Sequence, residues 1–470
     1  MAQLVLKKLG LTALAMSLAG CASTIDVPAQ PNRPVMAAIQ QSAPQQFFNA
    51  EGDALPLSTQ WWEGFNDELL TGLIEQTLSE NRELEVAQAN IAIANAGLAR
   101  QKLESSYSTQ SGAGADLGRA AAPNRNIAGT LSGSLGASWE YNAFGRIASA
   151  IKAAELNTEA AEQARQDIAV ILSSETALAY MDLRGAQRRL DVARENAQTQ
   201  AQSLSLLGEL FENGRATQLD ISRAEAQYRT TLSDLPRFQA VIDNAISRLA
   251  VLTGTNAAAP QDTILALKQR TAPIPSFAAR FDIGSPQDLI RRRPDIRAAE
   301  IEIARRLALS DVERARLFPT LTFNADISTL FDNGNRIDQL SSFGFGLGPA
   351  LRWEGPDLRR VRADIDIADA QTKRAYSVYE QTVTQALADV EVALSNRANE
   401  QQRQRDIVSA EAAAREALEI ATLRFEEGID DFLDVLDAQR TLLAAQDRLA
   451  ENQLQAVRLT VLAYRELGGL

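Results

Sequence analysis

The chain of 470 residues contains no histidine and a single cysteine, Cys21. Without histidine it lacks the commonest general base and the commonest transition-metal ligand. One cysteine excludes any disulfide within the chain. Aromatic residues make up only 6% of the sequence, and its 47 basic side chains are outnumbered by 60 acidic ones, for a formal charge of −13. That balance argues against nucleic acid as a partner, because phosphate binding needs a basic surface. No apolar run reaches the ~18 residues of a transmembrane helix, and the one at the start is too short. Neither a nucleophile elbow nor a metal-ligand cluster nor a phosphate loop is found. Gly344, Gly346 and Gly348 alternate along a strand-like stretch and do not form a nucleotide loop. The chain is therefore not expected to be an enzyme or to hold a cofactor or metal.

Alanine, glutamine, arginine, glutamate and leucine dominate, which is the composition of long helices. The start reads as a secretion signal over 1–20: Lys7 and Lys8 supply a positive region, 9–18 is apolar, and Leu18-Ala19-Gly20-Cys21 closes it. This closing sequence resembles the bacterial lipobox. By that resemblance Cys21 is the first mature residue and carries acyl chains that hold it to a membrane. Losing the two lysines takes the formal charge from −13 to −15. The alternative is an ordinary signal peptide with an incidental cysteine.

The mature chain carries an internal duplication. Phe211-Glu212-Asn213-Gly214 recurs as Phe425-Glu426-Glu427-Gly428, an offset of 214 (211 to 425). At the same offset Leu219-Asp220 matches Leu433-Asp434, Ala224 matches Ala438, Trp139-Glu140 matches Trp353-Glu354, and Arg146 matches Arg360. Leu84, Ala87 and Ile91 correspond, with a slight shift, to Ile296, Ala299 and Ile303. The expected plan is a wrapping segment over 21–60, a first repeat over 61–254, a linker over 255–285 and a second repeat over 286–470. Each repeat reads as helix, β-hairpin, very long helix, tight turn and helix. In the first, the helices are expected over about 67–104, 144–210 and 219–252. In the second they start near Pro294, Pro356 and Leu433, with both prolines suited to a first helical turn. A helix of ~67 residues spans on the order of 100 Å, more than any compact domain needs. The Pro-, Ala- and Thr-rich stretch 254–286 reads as irregular.

Four short stretches alternate with period two. Leu131, Leu135 and Trp139 share one face of the second, with Ser132, Ser134 and Ser138 on the other. Leu321 and Phe323 in the third, and Phe343 and Phe345 in the fourth, follow the same rule. Alternation alone fits either a soluble sheet packed on one face or a membrane barrel with lipid outside and water inside. The polar face is nearly all Ser, Thr, Gly, Asn and Asp, as a wet lumen requires. Four strands cannot close a barrel, and an open edge in lipid leaves unpaired backbone groups. Spanning a membrane thus demands that several chains share one barrel. An acidic substitution on the lipid face, at Leu135 or Phe345, is expected to be worse than one at Ser134 or Gly346.

Several of these motifs resemble the TolC-type outer-membrane efflux proteins, in particular the lipoprotein branch that serves resistance-nodulation-division (RND) pumps. The resemblance rests on Trp61-Trp62-Glu63-Gly64-Phe65, on the central stretch from Gln287 through Arg291-Arg292-Arg293-Pro294-Asp295 to Glu300, on Leu317-Phe318-Pro319-Thr320-Leu321, and on the tip around Phe425 to Gln439. It implies a mainly α fold with a membrane β-barrel: a homotrimer whose twelve-stranded barrel continues into a long α-helical barrel. It also implies outer-membrane lipid around the barrel, and a periplasmic adaptor and an inner-membrane RND or ABC transporter as partners. The expected activity is passive conduction of small molecules. The alternatives are the exit channel of a type I protein-secretion system and a structural periplasmic lipoprotein without a channel. Gly214 and Gly428 mark hairpin tips that an adaptor could grip. Asp434 and Asp437 match the family's constricted periplasmic mouth, and Asp220 a position that ties closed helices together. Asp430 stands where some members carry arginine, leaving Arg215 or Arg223 as substitutes. The plain reading of these acids is that they complement a helix dipole. The Arg291–Arg293 run is read as structural and not as a binding site, with a solvated helix start as the plain alternative.

Overall fold

The computed structural model describes residues 60–119, 127–256, 262–277, 292–331, 343–355 and 357–469. All of them belong to one compact unit, Gln45–Leu470. The expected signal, the lipid site at Cys21, the wrapping segment short of Gln60, Pro356, and the start of the central motif through Arg291 lie outside the described residues.

The first described element is a 3-10 turn, Trp61–Phe65, followed by helix α1, Glu68–Glu80, and helix α2, Arg82–Leu103. Asp67 starts α1 by accepting the Leu69 and Leu70 amides at 3.0 and 3.1 Å. A single helix was expected over 67–104, but it breaks at Asn81, which is extended. The Asn81 side-chain Oδ1 accepts the Glu83 amide at 2.8 Å, and its Nδ2 donates to the Leu252 carbonyl at 2.8 Å. One side chain thus caps α2 and ties it to the far end of the repeat, a long-range bond that periodicity cannot reveal.

Strands β1, Ser108–Arg119, and β2, Ile127–Tyr141, then lead into helix α3, Arg146–Glu212, and helix α4, Gln218–Leu252. The second repeat has helix α6, Pro294–Ala315, strands β3, Thr320–Phe331, and β4, Phe343–Arg352, helix α7, Arg359–Glu426, and helix α8, Phe432–Glu466. Between the repeats lies helix α5, Asp262–Gln269, where an irregular linker was expected. Its Ile264 and Leu267, three apart, are buried in the main core, and α3 holds its end: Gln187 Nε2 donates to the Leu267 carbonyl at 2.7 Å and Arg184 Nη1 to the Arg270 carbonyl at 2.5 Å. Pro294 opens α6 as expected. Helix α7 begins at Arg359.

Helices α3 and α7 have 67 and 68 residues, each about 100 Å long. Helices α4 and α8 have 35 residues each and fold back along them. The offset of 214 carries 146–252 onto 360–466 without insertion. No helix among the described residues is long and apolar enough to cross a membrane.

The main core lies around the middle of the helices, where Trp61, Trp62 and Phe65 meet Tyr180, Leu249 and Tyr464. Trp61 stacks on Tyr464 at 5.3 Å, and Phe277 packs edge-on against both Phe65 and Tyr464. Arg184 is fully buried. Its guanidinium donates to Tyr180 Oη, which donates in turn to Asp67. Burial, reinforced by the bond to Asp67, pushes the Tyr180 phenol up to about 12.

Candidate functional site

The four strands form one antiparallel sheet in the order β1-β2-β3-β4. The register aligns Leu135, Ile327 and Phe345 across three strands, and Trp139, Phe323 and Pro349 likewise. On the opposite face Gly136, Asp326 and Gly346 lie in one row, and Ser134, Ser328 and Gly344 in the next. Leu131, Leu321 and Phe343 fall on the apolar face with the rest, so all seven barrel residues expected to face lipid share one side. Among the described residues no helix packs extensively along either face of the sheet. Phe345 is 88% and Leu347 85% exposed, an arrangement that a sheet packed on a soluble core would not leave. Both edges, β1 and β4, are unpaired among the described residues.

Glycine opposite a polar residue is how the sheet makes room. A Cβ at Gly346 would lie 2.4 Å from Asp326 Oδ1, so the carboxylate occupies the space that a side chain would need. At the base of the sheet the two Trp-Glu pairs anchor strands to helices. Trp139 Nε1 donates to the Ser105 carbonyl at 3.3 Å, and Trp353 Nε1 to that of Leu317 at 3.1 Å. Glu140 accepts a bidentate bond from Arg146, while Glu354 turns to Arg316. Phe144 stacks on Phe318 at 4.6 Å beside them. The sheet thus ends in a belt of aromatic rings with satisfied polar atoms, the arrangement favoured where lipid meets water.

The other end of the long helices carries the two hairpin tips. Gly214 and Gly428 have φ of +70° and +73°, the left-handed conformation that glycine adopts without strain. In each, the glycine amide and the next amide donate back to the last turn: Gly214 to Phe211 and Arg215 to Leu210, Gly428 to Phe425 and Ile429 to Arg424. These are paired Schellman closures. A small core of Leu207, Ala224, Phe432, Val435 and Leu436 holds the tips together.

The acids beyond the tips are used differently in the two repeats. In the first, Thr217 and Asp220 form a reciprocal capping box: the Thr217 amide donates to Asp220 at 2.9 Å and the Asp220 amide to Thr217 Oγ1 at 3.3 Å. In the second, the equivalent of Thr217 is Asp431, which makes no side-chain cap. The equivalent of Asp220 is Asp434, exposed on the same face as Asp437, also exposed. Asp430 pairs with Arg424, whose Nη2 donates to it at 2.8 Å. That bond, strengthened by the guanidinium charge, holds the Asp430 carboxyl below its usual range. Arg424, six residues before Asp430 across the turn, is its partner; Arg215 and Arg223, offered by the sequence as substitutes in the closing contacts, are exposed.

The start of the second repeat is fixed by Arg293, whose side chain is 12% exposed. It donates to Asp295, to the Glu466 carboxylate at 3.2 Å and to the Glu466 carbonyl at 2.7 Å. Helix α8 is thereby pinned to α6. This fits the structural reading of the arginine run, while Arg292 is exposed.

Among the described residues no group of histidine, cysteine, aspartate and glutamate could hold a metal. The family model "Outer membrane efflux protein" matches residues 73–255 and 285–463, one match for each repeat. "Nodulation protein T" of Rhizobium leguminosarum bv. trifolii is 29% identical over 401 residues, covering 83% of each chain. "Toluene efflux pump outer membrane protein TtgF" of Pseudomonas putida is 28% identical over 485 residues, covering 97% of this chain and 95% of its own. The solved structure of "the outer-membrane channel OprN" superposes with a TM-score of 0.82 at 33% identity, covering 89% of this chain and 94% of that one. Two family matches over two structural repeats, a two-faced sheet and helices of about 100 Å establish that this chain belongs to the outer membrane efflux protein family.

Proposed function

We propose that the chain is the outer-membrane exit duct of a tripartite efflux system, conducting small molecules passively from the periplasm to the exterior. The observation that carries this is the sheet: one continuous exposed apolar face, one polar face of small residues, and two unpaired edges. In lipid every backbone donor and acceptor must be paired, so β1 of one copy joins β4 of the next until the sheet closes. Three copies give twelve strands, within the size range of membrane barrels. The long helices then continue the barrel as a tube into the periplasm. Cys21 carries the lipid anchor, and the Gly214 and Gly428 tips meet a periplasmic adaptor that links the duct to an inner-membrane RND or ABC transporter. Asp434 and Asp437 line the mouth at the tips.

No group here performs chemistry on the cargo. The duct's work is to keep a wet path lined by Ser, Thr, Gly, Asn and Asp, so that solutes cross without entering lipid. Energy comes from the transporter. The test is reconstitution of the purified protein in a planar bilayer together with its native mass. Discrete conductance steps from a trimer are expected. A monomer without conductance would overturn the proposal.

A further inference from the structure

The two repeats treat the inner faces of their helix pairs differently. In the first, α3 and α4 turn apolar side chains inward: Leu183, Leu190, Ile242 and Ile246 are all buried. Helix α5 joins them, with Ile264 and Leu267 in the same core. Gln187 of α3 holds the Leu267 carbonyl, and Asp243 of α4 pairs with Lys268 at 2.6 Å. The chain's own linker thus closes the first pair.

The offset of 214 carries these positions onto α7 and α8 without insertion, and there the chemistry changes. On α7, Leu183 is matched by Arg397, Leu190 by Gln404, Ala197 by Glu411 and Ala201 by Arg415. On α8, Leu232 is matched by Gln446, Ile242 by Ala456 and Ile246 by Thr460. Arg397, Gln404 and Glu411 follow at seven-residue spacing and so share one face of α7. The result is a cavity of about 450 Å³ where the first repeat is packed. Helices α7 and α8 form two of its walls, Arg188 of α3 a third, and Pro273 to Phe277, after α5, the fourth. The volume lies in the range of small-molecule sites.

The cavity is positive. Arg188, Arg397 and Arg415 line it against one carboxylate, Glu411, which accepts a bond from Arg415. Arg397 donates to Thr460 Oγ1 at 3.4 Å, and burial pulls its guanidinium below the ordinary value. A half-buried cation is stabilised by an anion that reaches it. Beside the arginines stand the amides of Gln401, Gln404, Gln446 and Gln453 and an apolar side of Ile274, Leu449 and Val457. Guanidinium donors suit carboxylates, which they can bind through two parallel bonds.

We propose that this cavity binds a small organic anion with two or three carboxylates, held between Arg188 of the first repeat and Arg397 of the second. The site is separate from the sheet and from the acids beyond the tips, and it does not depend on what the duct conducts. Occupied, it ties α3 to the pair α7 and α8, as α5 ties α3 to α4.

Citrate is the probe, titrated calorimetrically into the full chain purified in detergent, with chloride keeping the ionic strength constant. Saturable binding of one citrate per chain is expected, with a melting temperature that rises with occupancy. Arg397→Leu with Thr460→Ile gives the second repeat the residues of the first, and Arg188→Gln gives α3 the residue that α7 carries at Gln402. Each change is expected to weaken binding at least about tenfold, the loss of one charged pair. Arg405→Gln, exposed on α7 and outside the cavity lining, is expected to leave binding unchanged. If the double variant does not fold, Arg188→Gln, at an exposed position, still decides. Binding weaker than about 1 mM, or binding of full strength in the Arg188→Gln chain, overturns the proposal. An equal loss in Arg405→Gln also overturns it, by marking a general effect of charge.

Discussion

Gly346 and Asp326 show how a single residue depends on the strand beside it. Read as a sequence, Gly346 is one of several small residues on a polar face, and an acidic replacement there looks electrostatically as mild as one at Ser134, with added bulk as the one difference. The register changes that, because Gly346 lies beside Asp326, whose carboxylate fills the space above it. Ser134 instead lies between Gly112 and Ser328. We predict that Gly346→Asp lowers the yield of detergent-resistant trimer well below that of Ser134→Asp, and that adding Asp326→Asn restores part of it. Cross-strand like charges cost up to about 1 kcal/mol each, and crowding adds to that. Equal yields for the two single variants would refute the pairing argument. Asp167 offers a second test at this scale. Burial, with the nearby Asp295 charge, raises its carboxyl above the usual range against the pull of Arg293. A raised carboxyl binds its proton more tightly when folded, so folding is favoured at low pH. That advantage is lost as pH rises from the unfolded value through the folded one. Asp167→Asn removes the cost of the buried charge. The melting temperature in detergent should rise at pH 7 and stay nearly unchanged near pH 3; an equal shift at both would assign the effect to packing.

At the scale of elements, the long helices, the return helices and the hairpin tips were legible because each follows a local rule. Alanine-rich periodicity placed α3 and α4 within two residues of their observed ends, and the glycines at 214 and 428 marked both reversals. What was not legible depended on distant partners. The break at Asn81 needs the Leu252 carbonyl, and helix α5 needs Gln187 and Arg184 to hold its end. In the Tyr180–Arg184–Asp67 network the Tyr180–Asp67 bond spans 113 positions, and only the helical spacing between Tyr180 and Arg184 was left as a trace. The tips make the local rule testable. Replacing Gly428 with alanine forces a Cβ into a left-handed backbone, at a cost of about 1 kcal/mol, although nothing lies within 4 Å of that Cβ. Gly428→Asn, which tolerates this conformation better, should lose less. Protease nicking at the tip measures both, and equal resistance of the alanine and glycine forms would show that the turn is held by its core and not by the glycine.

Across the whole molecule the question is what the exposed acids beyond the second tip do when copies assemble. Two roles compete for Asp434 and Asp437. As helix-terminal charges they stabilise α8 through its dipole and nothing more. As a ring on the channel axis they set which ions pass. The repeat comparison favours the second. Asp220 closes a capping box with Thr217, but Asp434 faces Asp431, which caps nothing, so the second tip has given up a stabilising bond and kept the carboxylate exposed. The apolar side of the same turn, Phe432, Val435 and Leu436, is buried in the tip core, which turns Asp434 and Asp437 outward. The double change Asp434→Ala with Asp437→Ala separates the roles. A dipole or capping role predicts a stability loss of about 0.5–2 kcal/mol with conductance nearly unchanged. A ring predicts loss of cation selectivity and of block by multivalent cations added on the periplasmic side. Arg424→Ala extends the test in the opposite direction: it releases Asp430 from its ion pair, adds a free carboxylate to the mouth and should increase cation selectivity. Planar-bilayer recordings in which neither variant alters selectivity or block would leave the acids as helix-terminal charges and place the constriction elsewhere in the tube.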